Sequence, residues 1–334
     1  MEKEKSMRNI TLDMFKLIAA FMVVFIHVGF GGNVGVVINA LARFAVPLFF
    51  FTSGFFSYKN DTKKIKAKIK KILILYLIAL IVYLLYQVIF LLVYGDSTSL
   101  TTYFKSVFTL KDILYFLVFN YTQIGGHLWF LLALLYVYII WFIVVKFSVN
   151  KKLILILTIC SLVAHLILGE VLGAFGIIVP IEYVRNFALM GFPFFALGFF
   201  ANVNREKIAS IKTIYAIIAL VFGVAETILS RYFFVANEIY VGSLGIVFFM
   251  VVISLKHSEK RYPKILKRLT TTTTDIYIFH LVISWLGIGL FSRLGLHMNN
   301  GIFSKIWPFA VIVFSVIFSL ILDVIKKFIK TKKK

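Results

Sequence analysis

Long apolar stretches alternate with short polar ones along this chain, and the lengths suit a bilayer better than a globular core. Runs near twenty residues lie at about 10–30, 34–57, 71–94, 126–146, 152–172, 183–202, 211–231, 237–255, 272–292 and 304–328. About twenty helical residues at 1.5 Å each cross the roughly 30 Å of hydrocarbon. Only helices and closed barrels satisfy their backbone polar groups there. The pattern therefore predicts an all-α polytopic integral membrane protein of about ten transmembrane helices. The stretch 100–120 is apolar and aromatic but is interrupted by Lys105, Lys111 and Asp112, and it reads as an interfacial or re-entrant segment. No polar stretch long enough for a soluble domain separates the runs. Residues 1–334 thus read as one membrane domain with a basic tail at 326–334.

Composition agrees with this pattern: 61% of residues are hydrophobic and 15% charged, too few charges to clothe a soluble protein of this size. The net charge of +22 raises the thought of nucleic acid, but the placement of the charges argues for membrane lipids instead. The segments 1–9, 59–71, 146–152, 203–212, 256–268 and 326–334 hold 28 of the 36 Lys and Arg residues. With these segments inside, the positive-inside bias puts both termini in the cytoplasm. The first run carries Asp13, Lys16 and His27 and is too long for a signal core, so a removable leader is not expected. A single cysteine, Cys160, rules out an internal disulfide and a thiolate metal cluster. No metal is expected. The run from Lys59 to Lys71 suits either a headgroup-binding loop or, with the cluster 260–268, a cradle for a phosphorylated cytoplasmic ligand.

Ionisable side chains inside a span cost several kcal/mol, so each marks a candidate site. His27 lies eleven steps after Lys16, three helical turns plus about 20°, or about 16 Å along the axis. Asp13 shares that face, and the residues between, Ala20 and Val23, are small enough to line a narrow passage. Arg43 lies in the second run at a depth comparable with His27 and needs an anion or carbonyls as partner. Glu170, Glu182 and Glu226 are placed for that better than Asp13. Pro47 is expected to free a carbonyl and bend this helix, and Ser53-Gly54 to permit a close approach. His127 and Trp129 suit either a site or interfacial anchoring, and Asp275 either a cap or a pairing with the basic loop before it. Arg185, Tyr277 and His280 complete the candidates. His165 reads as a packed histidine, and His257 and His297 as loop bystanders.

The segment Leu12-Asp13-Met14-Phe15-Lys16, followed by His27, Arg43, Val46-Pro47-Leu48-Phe49-Phe50 and Ser53-Gly54-Phe55, resembles membrane acyltransferase family 3. Leu128-Trp129-Phe130-Leu131 and Tyr277-Ile278-Phe279-His280 look like its later motifs. The resemblance covers nearly the whole chain and implies a bacterial cell-membrane O-acetyltransferase. Such an enzyme moves an acyl group, usually acetyl, from cytoplasmic acyl-CoA to a hydroxyl of an extracytoplasmic or lipid-linked glycan. The family pattern has a basic residue, ten intervening positions and a histidine. Lys16 stands here where arginine is commoner, and it offers a point charge in place of a bidentate fork.

The resemblance implies that His27 and Arg43 are catalytic. Asp13, Lys16, Ser53, His127, Trp129, Arg185, Tyr277 and His280 are then candidates for binding substrate or acetyl-CoA. An imidazole about 16 Å along the helix face from Lys16 suits general-base work on a hydroxyl. Arg43 suits an oxyanion, or orients His27 through an intermediate group. The rival reading is a transporter of a small amino acid such as serine, because the membrane modules of some bacterial serine racemases resemble this family. The sequence shows neither an attached racemase domain nor a following hydrolase-like domain.

Overall fold

The computed structural model describes residues 9–96, 98–234, 240–258, 262–294 and 301–332. The basic residues Lys3, Lys5, Arg8, Lys260, Arg261, Lys333 and Lys334, and His297, lie outside the described residues. Helix α1 spans Ile10–Val28, α2 Gly32–Leu41, and after a 3₁₀ turn at Ala42–Phe44 the chain continues as α3, Ala45–Phe55. Helix α4 is Thr62–Tyr94, α5 Ser99–Val107, α6 Leu110–Phe119 and α7 Trp129–Lys146. Helix α8, Lys151–Leu166, passes through a π turn at Ile167–Val171 into the short α9, Leu172–Ala174. Next come α10 at Ile181–Val184, a second π turn at Phe187–Gly191, α11 at Phe192–Val203 and α12 at Arg205–Ser210. The chain ends with α13 at Thr213–Phe233, α14 at Val241–Lys256, α15 at Lys264–Leu269, α16 at Thr273–Arg293 and α17 at Gly301–Lys332.

Nine of these helical stretches, counted among the described residues, are long and apolar enough to cross a membrane; α14, an apolar helix of sixteen residues, stands where the eighth run, 237–255, was expected to span. The protein is an all-α polytopic membrane protein. The stretch 100–120 forms α5 and α6, of nine and ten residues, both too short to span. Thr109 caps α6 by accepting the Asp112 N–H at 3.1 Å, while Gln123 donates to the Asp112 carboxylate at 2.7 Å. The Thr109 hydroxyl also donates to the carboxylate of half-buried Asp112, and this bond first, then that from Gln123, favours the ionised form and holds Asp112 below the usual carboxylate range.

The chain divides into two compact units, one of Met1–Phe49, Arg205–Tyr232 and Val241–Lys334, the other of Phe50–Asn204 and Phe233–Tyr240. In the first, α1 packs against α2, α14, α15, α16 and α17. Its Leu12, Ala19, Ala20, Val23 and Val24 are all at most 1% exposed. The stripe between Lys16 and His27 is therefore packed and not an open passage: small side chains there let neighbouring helices close in. Asp275 pairs with Lys326 of α17 at 3.3 Å and accepts from Ser319 at 3.0 Å, joining α16 to α17 in place of the basic loop before it.

In the second unit α4 lies on α7, and α8 and α7 meet α11 and the π turn before it. Pro193, in the first turn of α11, has no N–H for the Leu189 carbonyl, which interrupts the α ladder where the backbone widens to the π turn. A side chain at Gly54 would meet the Phe195 carbonyl at 1.8 Å, and one at Gly198 the Phe51 carbonyl at 1.9 Å. The close approach expected at Ser53-Gly54 is thus a reciprocal glycine crossing of α3 and α11. Buried Asn120 accepts the Phe187 N–H at 2.8 Å and donates to the Trp129 carbonyl at 3.4 Å.

Gly54→Leu should separate α3 from α11 and lower the melting temperature of the detergent-purified protein by several degrees, overpacking costing about 1–3 kcal/mol. Gly126→Ala, at a position with nothing within 4 Å, should leave it unchanged. A Gly54→Leu protein that melts like wild type would contradict this crossing.

Candidate active site

Within the first unit α1 runs unbroken from Asn9, whose side chain accepts the Leu12 N–H and caps the helix, to Gly29. The unbroken helix keeps the spacing of Lys16 and His27 at about 16 Å, set by the rise of 1.5 Å per residue. Asp13 and Lys16 form an ion pair at 2.6 Å across one turn. Asp13 is buried and Lys16 half-buried, whereas His27, in the last turn, is exposed. The polar residues of this face thus mark the two ends of a packed stripe.

Helix α2 returns alongside that last turn with Gly35 and Asn39 on one face, and Arg43, four residues on, follows in the 3₁₀ turn. A Cβ at Gly35 would lie 1.8 Å from the Phe30 carbonyl, so the α1–α2 turn closes directly on α2 backbone. One turn on, Asn39 Nδ2 donates to the Ile26 carbonyl at 3.2 Å, and its Oδ1 accepts from Arg43 Nη2 at 2.8 Å. The Ile26 carbonyl needs that donor. It is one of the last four of α1, and the Gly29 N–H closes on the preceding one, Phe25, at 3.1 Å. Arg43 itself sits in the 3₁₀ turn, where Pro47 removes the N–H that its carbonyl would have met in a continuous helix. Of the acidic residues expected to answer Arg43, Glu226 accepts instead from Ser230 at 2.6 Å and from the Gly242 N–H at 2.6 Å. Glu170 and Glu182 belong to the second unit.

Helix α16 brings His280 to the same place: its ring centroid lies 5.4 Å from that of His27, with the planes at 37°. His280 is fully buried, and its Nδ1 stands 2.9 Å from the Tyr277 carbonyl and 3.1 Å from that of Ile276. Carbonyl oxygens only accept, so Nδ1 carries the proton, and in the neutral ring the lone pair sits on Nε2. Tyr277 packs its ring 6.5 Å from His280 and 6.4 Å from Phe49. Phe25, Phe30 and Phe309 wall the His27 end, their rings 4.9–5.5 Å apart. The first unit therefore gathers His27, Arg43, Tyr277 and His280, with the Asp13–Lys16 pair at the other end of α1.

The remaining candidates lie in the second unit. His127 and Trp129 are buried at the start of α7, with His127 4.6 Å from the Tyr83 ring, so neither projects as an exposed anchor. The Ser53 carbonyl accepts the Ser57 hydroxyl at 2.7 Å, and Lys68 donates to Ser57 at 2.9 Å and to the Phe56 carbonyl at 2.8 Å. One lysine of the basic run thus turns inward as a clamp on the end of α3. Arg185 stands at the break between α10 and the second π turn. His165 is fully buried. Among the described residues no three His, Cys, Asp or Glu side chains converge as metal ligands.

The chain is thus a polytopic α-helical membrane protein in which Arg43 is linked through Asn39 to the helical turn that carries His27. The chain belongs to acyltransferase family 3: the family's model, described as an acyltransferase domain, matches residues 9–324 and so takes in segments of both units. It is also similar to an amino-acid racemase of Enterococcus faecalis, 30% identical over 238 residues, which are 65% of this chain and 32% of that protein. The chain spans about a third of the length of that relative. No solved structure matches it.

Asn39 escapes a reading of the sequence, because a lone amide between Ile38 and Ala40 carries no signature of its partners. The nearest signal is its i,i+4 spacing to Arg43. Gly35→Ala should force the α1–α2 turn away from α2 and lower the melting temperature in detergent. Gly289→Ala, with nothing within 4 Å, should not lower it. Equal melting of the two variants would show that the turn yields freely at Gly35.

Proposed function

We propose that the protein transfers an acyl group, in the first instance acetyl, from cytoplasmic acyl-CoA to a hydroxyl of an extracytoplasmic or lipid-linked glycan. In this reading it lies in a bacterial cytoplasmic membrane with both termini inside. The observation that carries the proposal is the hydrogen-bonded link from Arg43 through Asn39 to the carbonyl beside His27, in a chain of acyltransferase family 3. His27 takes the proton from the acceptor hydroxyl as the oxygen attacks the thioester carbonyl. Arg43 stabilises the oxyanion that forms. Collapse of the tetrahedral intermediate breaks the carbon–sulfur bond, and the thiolate leaves with the proton that His27 had accepted. Atoms and charges balance without a protein nucleophile. Tyr277 and His280 frame the reacting end. The Asp13–Lys16 pair, with the cytoplasmic lysines, receives the anionic nucleotide end. The packed Ala20–Val23 stripe requires the thioester to reach His27 by another way than along that face of α1. Ser53, His127, Trp129 and Arg185 are proposed to bind ligand within the second unit.

The likeness to an amino-acid racemase favours a second reading, a module that handles a small amino acid such as serine without consuming acyl-CoA. Its carboxylate would take the place of the oxyanion at Arg43. One assay separates the two. Protein in detergent or membranes, supplied with acetyl-CoA, is expected to release free thiol. His27→Ala and Arg43→Ala should each lower that rate by about 10²-fold or more. Variants that transfer at the wild-type rate would remove His27 and Arg43 from the mechanism. Protein that neither turns over nor binds acetyl-CoA, yet binds serine, would establish the second reading.

A further inference from the structure

We infer that Asn39 is a positioning residue for the acyl transfer proposed above: a neutral amide bridge that fixes the Arg43 guanidinium against the helical turn carrying His27. The inference rests on that reading of His27 and Arg43. Asn39 has one polar atom for each side of the site, Oδ1 toward Arg43 Nη2 at 2.8 Å and Nδ2 toward the Ile26 carbonyl at 3.2 Å. A guanidinium only donates and a carbonyl only accepts, so the orientation of the amide is determined. Turned over, it would set donor against donor and acceptor against acceptor.

Few side chains can replace it. Aspartate keeps the acceptor but puts an oxygen against the Ile26 carbonyl and adds a negative charge beside Arg43. Leucine, of similar size, makes neither bond. Glutamine keeps both functions on a stem one methylene longer. Gly35, one turn earlier, lets the chain after His27 pass directly over α2, so the amide acts at short range. An electrostatic donor must sit within about 0.5 Å of its productive place to serve a developing oxyanion. The bridge holds one guanidinium nitrogen there without adding a counter-charge. Lys16 lies about 16 Å away along α1, so a fault at Asn39 should act on turnover and spare the binding of acyl-CoA.

The test compares wild type with Asn39→Asp, Asn39→Gln and Asn39→Leu, each purified in detergent, by thiol release from acetyl-CoA and by melting temperature. We expect Asn39→Asp to lower kcat by about 10- to 100-fold, with KM for acetyl-CoA and the melting temperature close to wild type. Asn39→Gln should recover part of the loss. If the charged variant does not fold, Asn39→Leu decides the matter by the same criterion, a fall in kcat in protein that melts like wild type. Wild-type kcat in a folded Asp or Leu variant overturns the inference. So does a loss of kcat in all three variants that merely follows the loss of folded protein, which would make Asn39 structural only. Failure of the wild type itself to release thiol while binding acetyl-CoA overturns the acyl-transfer reading, and the inference falls with it.

Discussion

A helix end packed inside the protein cannot simply stop. Its last four carbonyls have lost their intrahelical donors, and where neighbouring side chains exclude water other donors must replace them. This protein meets that constraint repeatedly with asparagine. Asn9 donates to the Ser254 carbonyl near the end of α14, at 2.9 Å, and Asn39 to Ile26 near the end of α1. Asn202 donates to Phe55, the last residue of α3, at 2.8 Å. Each of these bonds joins the end of one helix to a helix distant in sequence or returning beside it, so satisfying the backbone also sets how helices are placed. An amide suits the task because its donor costs far less to bury than a charge.

The site is built on the same economy. Arg43 and His27 stand on separate helices, and neither helix alone determines where its side chain lies relative to the other. The Ile26 carbonyl, which has to be satisfied in any case, is used as the anchor, and Asn39 carries that anchor across to the guanidinium. His280 is handled in a parallel way. Its proton is fixed on Nδ1 by two carbonyls of its own helix, which settles the tautomer of the ring that faces His27. In both places backbone carbonyls direct the chemistry of side chains.

Most of the fold is legible in the sequence because span length and hydrophobicity are properties of each segment alone. The ten apolar runs correspond to helices to within a few residues, apart from α4, which continues as helix through the basic run back to Thr62. The charged candidates are legible for the same reason: an arginine or histidine among apolar neighbours is conspicuous by its cost. What fails is whatever depends on a neighbour. Ala20 and Val23 suggest a passage, yet the same small volume admits the close packing of other helices, and the packing wins. Glu226 suggests a partner for Arg43, but the Ser230 hydroxyl and the Gly242 N–H at the start of α14 take its carboxylate. The two π turns leave no periodic mark in an all-apolar stretch.

The treatment of the two cations on the α1–α2 face carries the argument one step further. Lys16 is joined to a carboxylate, Asp13, at 2.6 Å, and so the inner end of α1 is locally neutral in the pair. Arg43, near the other end, is joined to an amide, which fixes the guanidinium in place and contributes no opposing charge. A carboxylate contact and an amide contact suit different tasks. A pair that exchanges partners suits a group that must take up and release a nucleotide from the cytoplasm. A rigid neutral bridge suits a charge that must already be in place when an oxyanion forms, since preorganisation removes the cost of reorienting it during the reaction. The chemistry of the two partners, more than the presence of the two cations, supports the proposed division of the helix into a binding end and a transfer end.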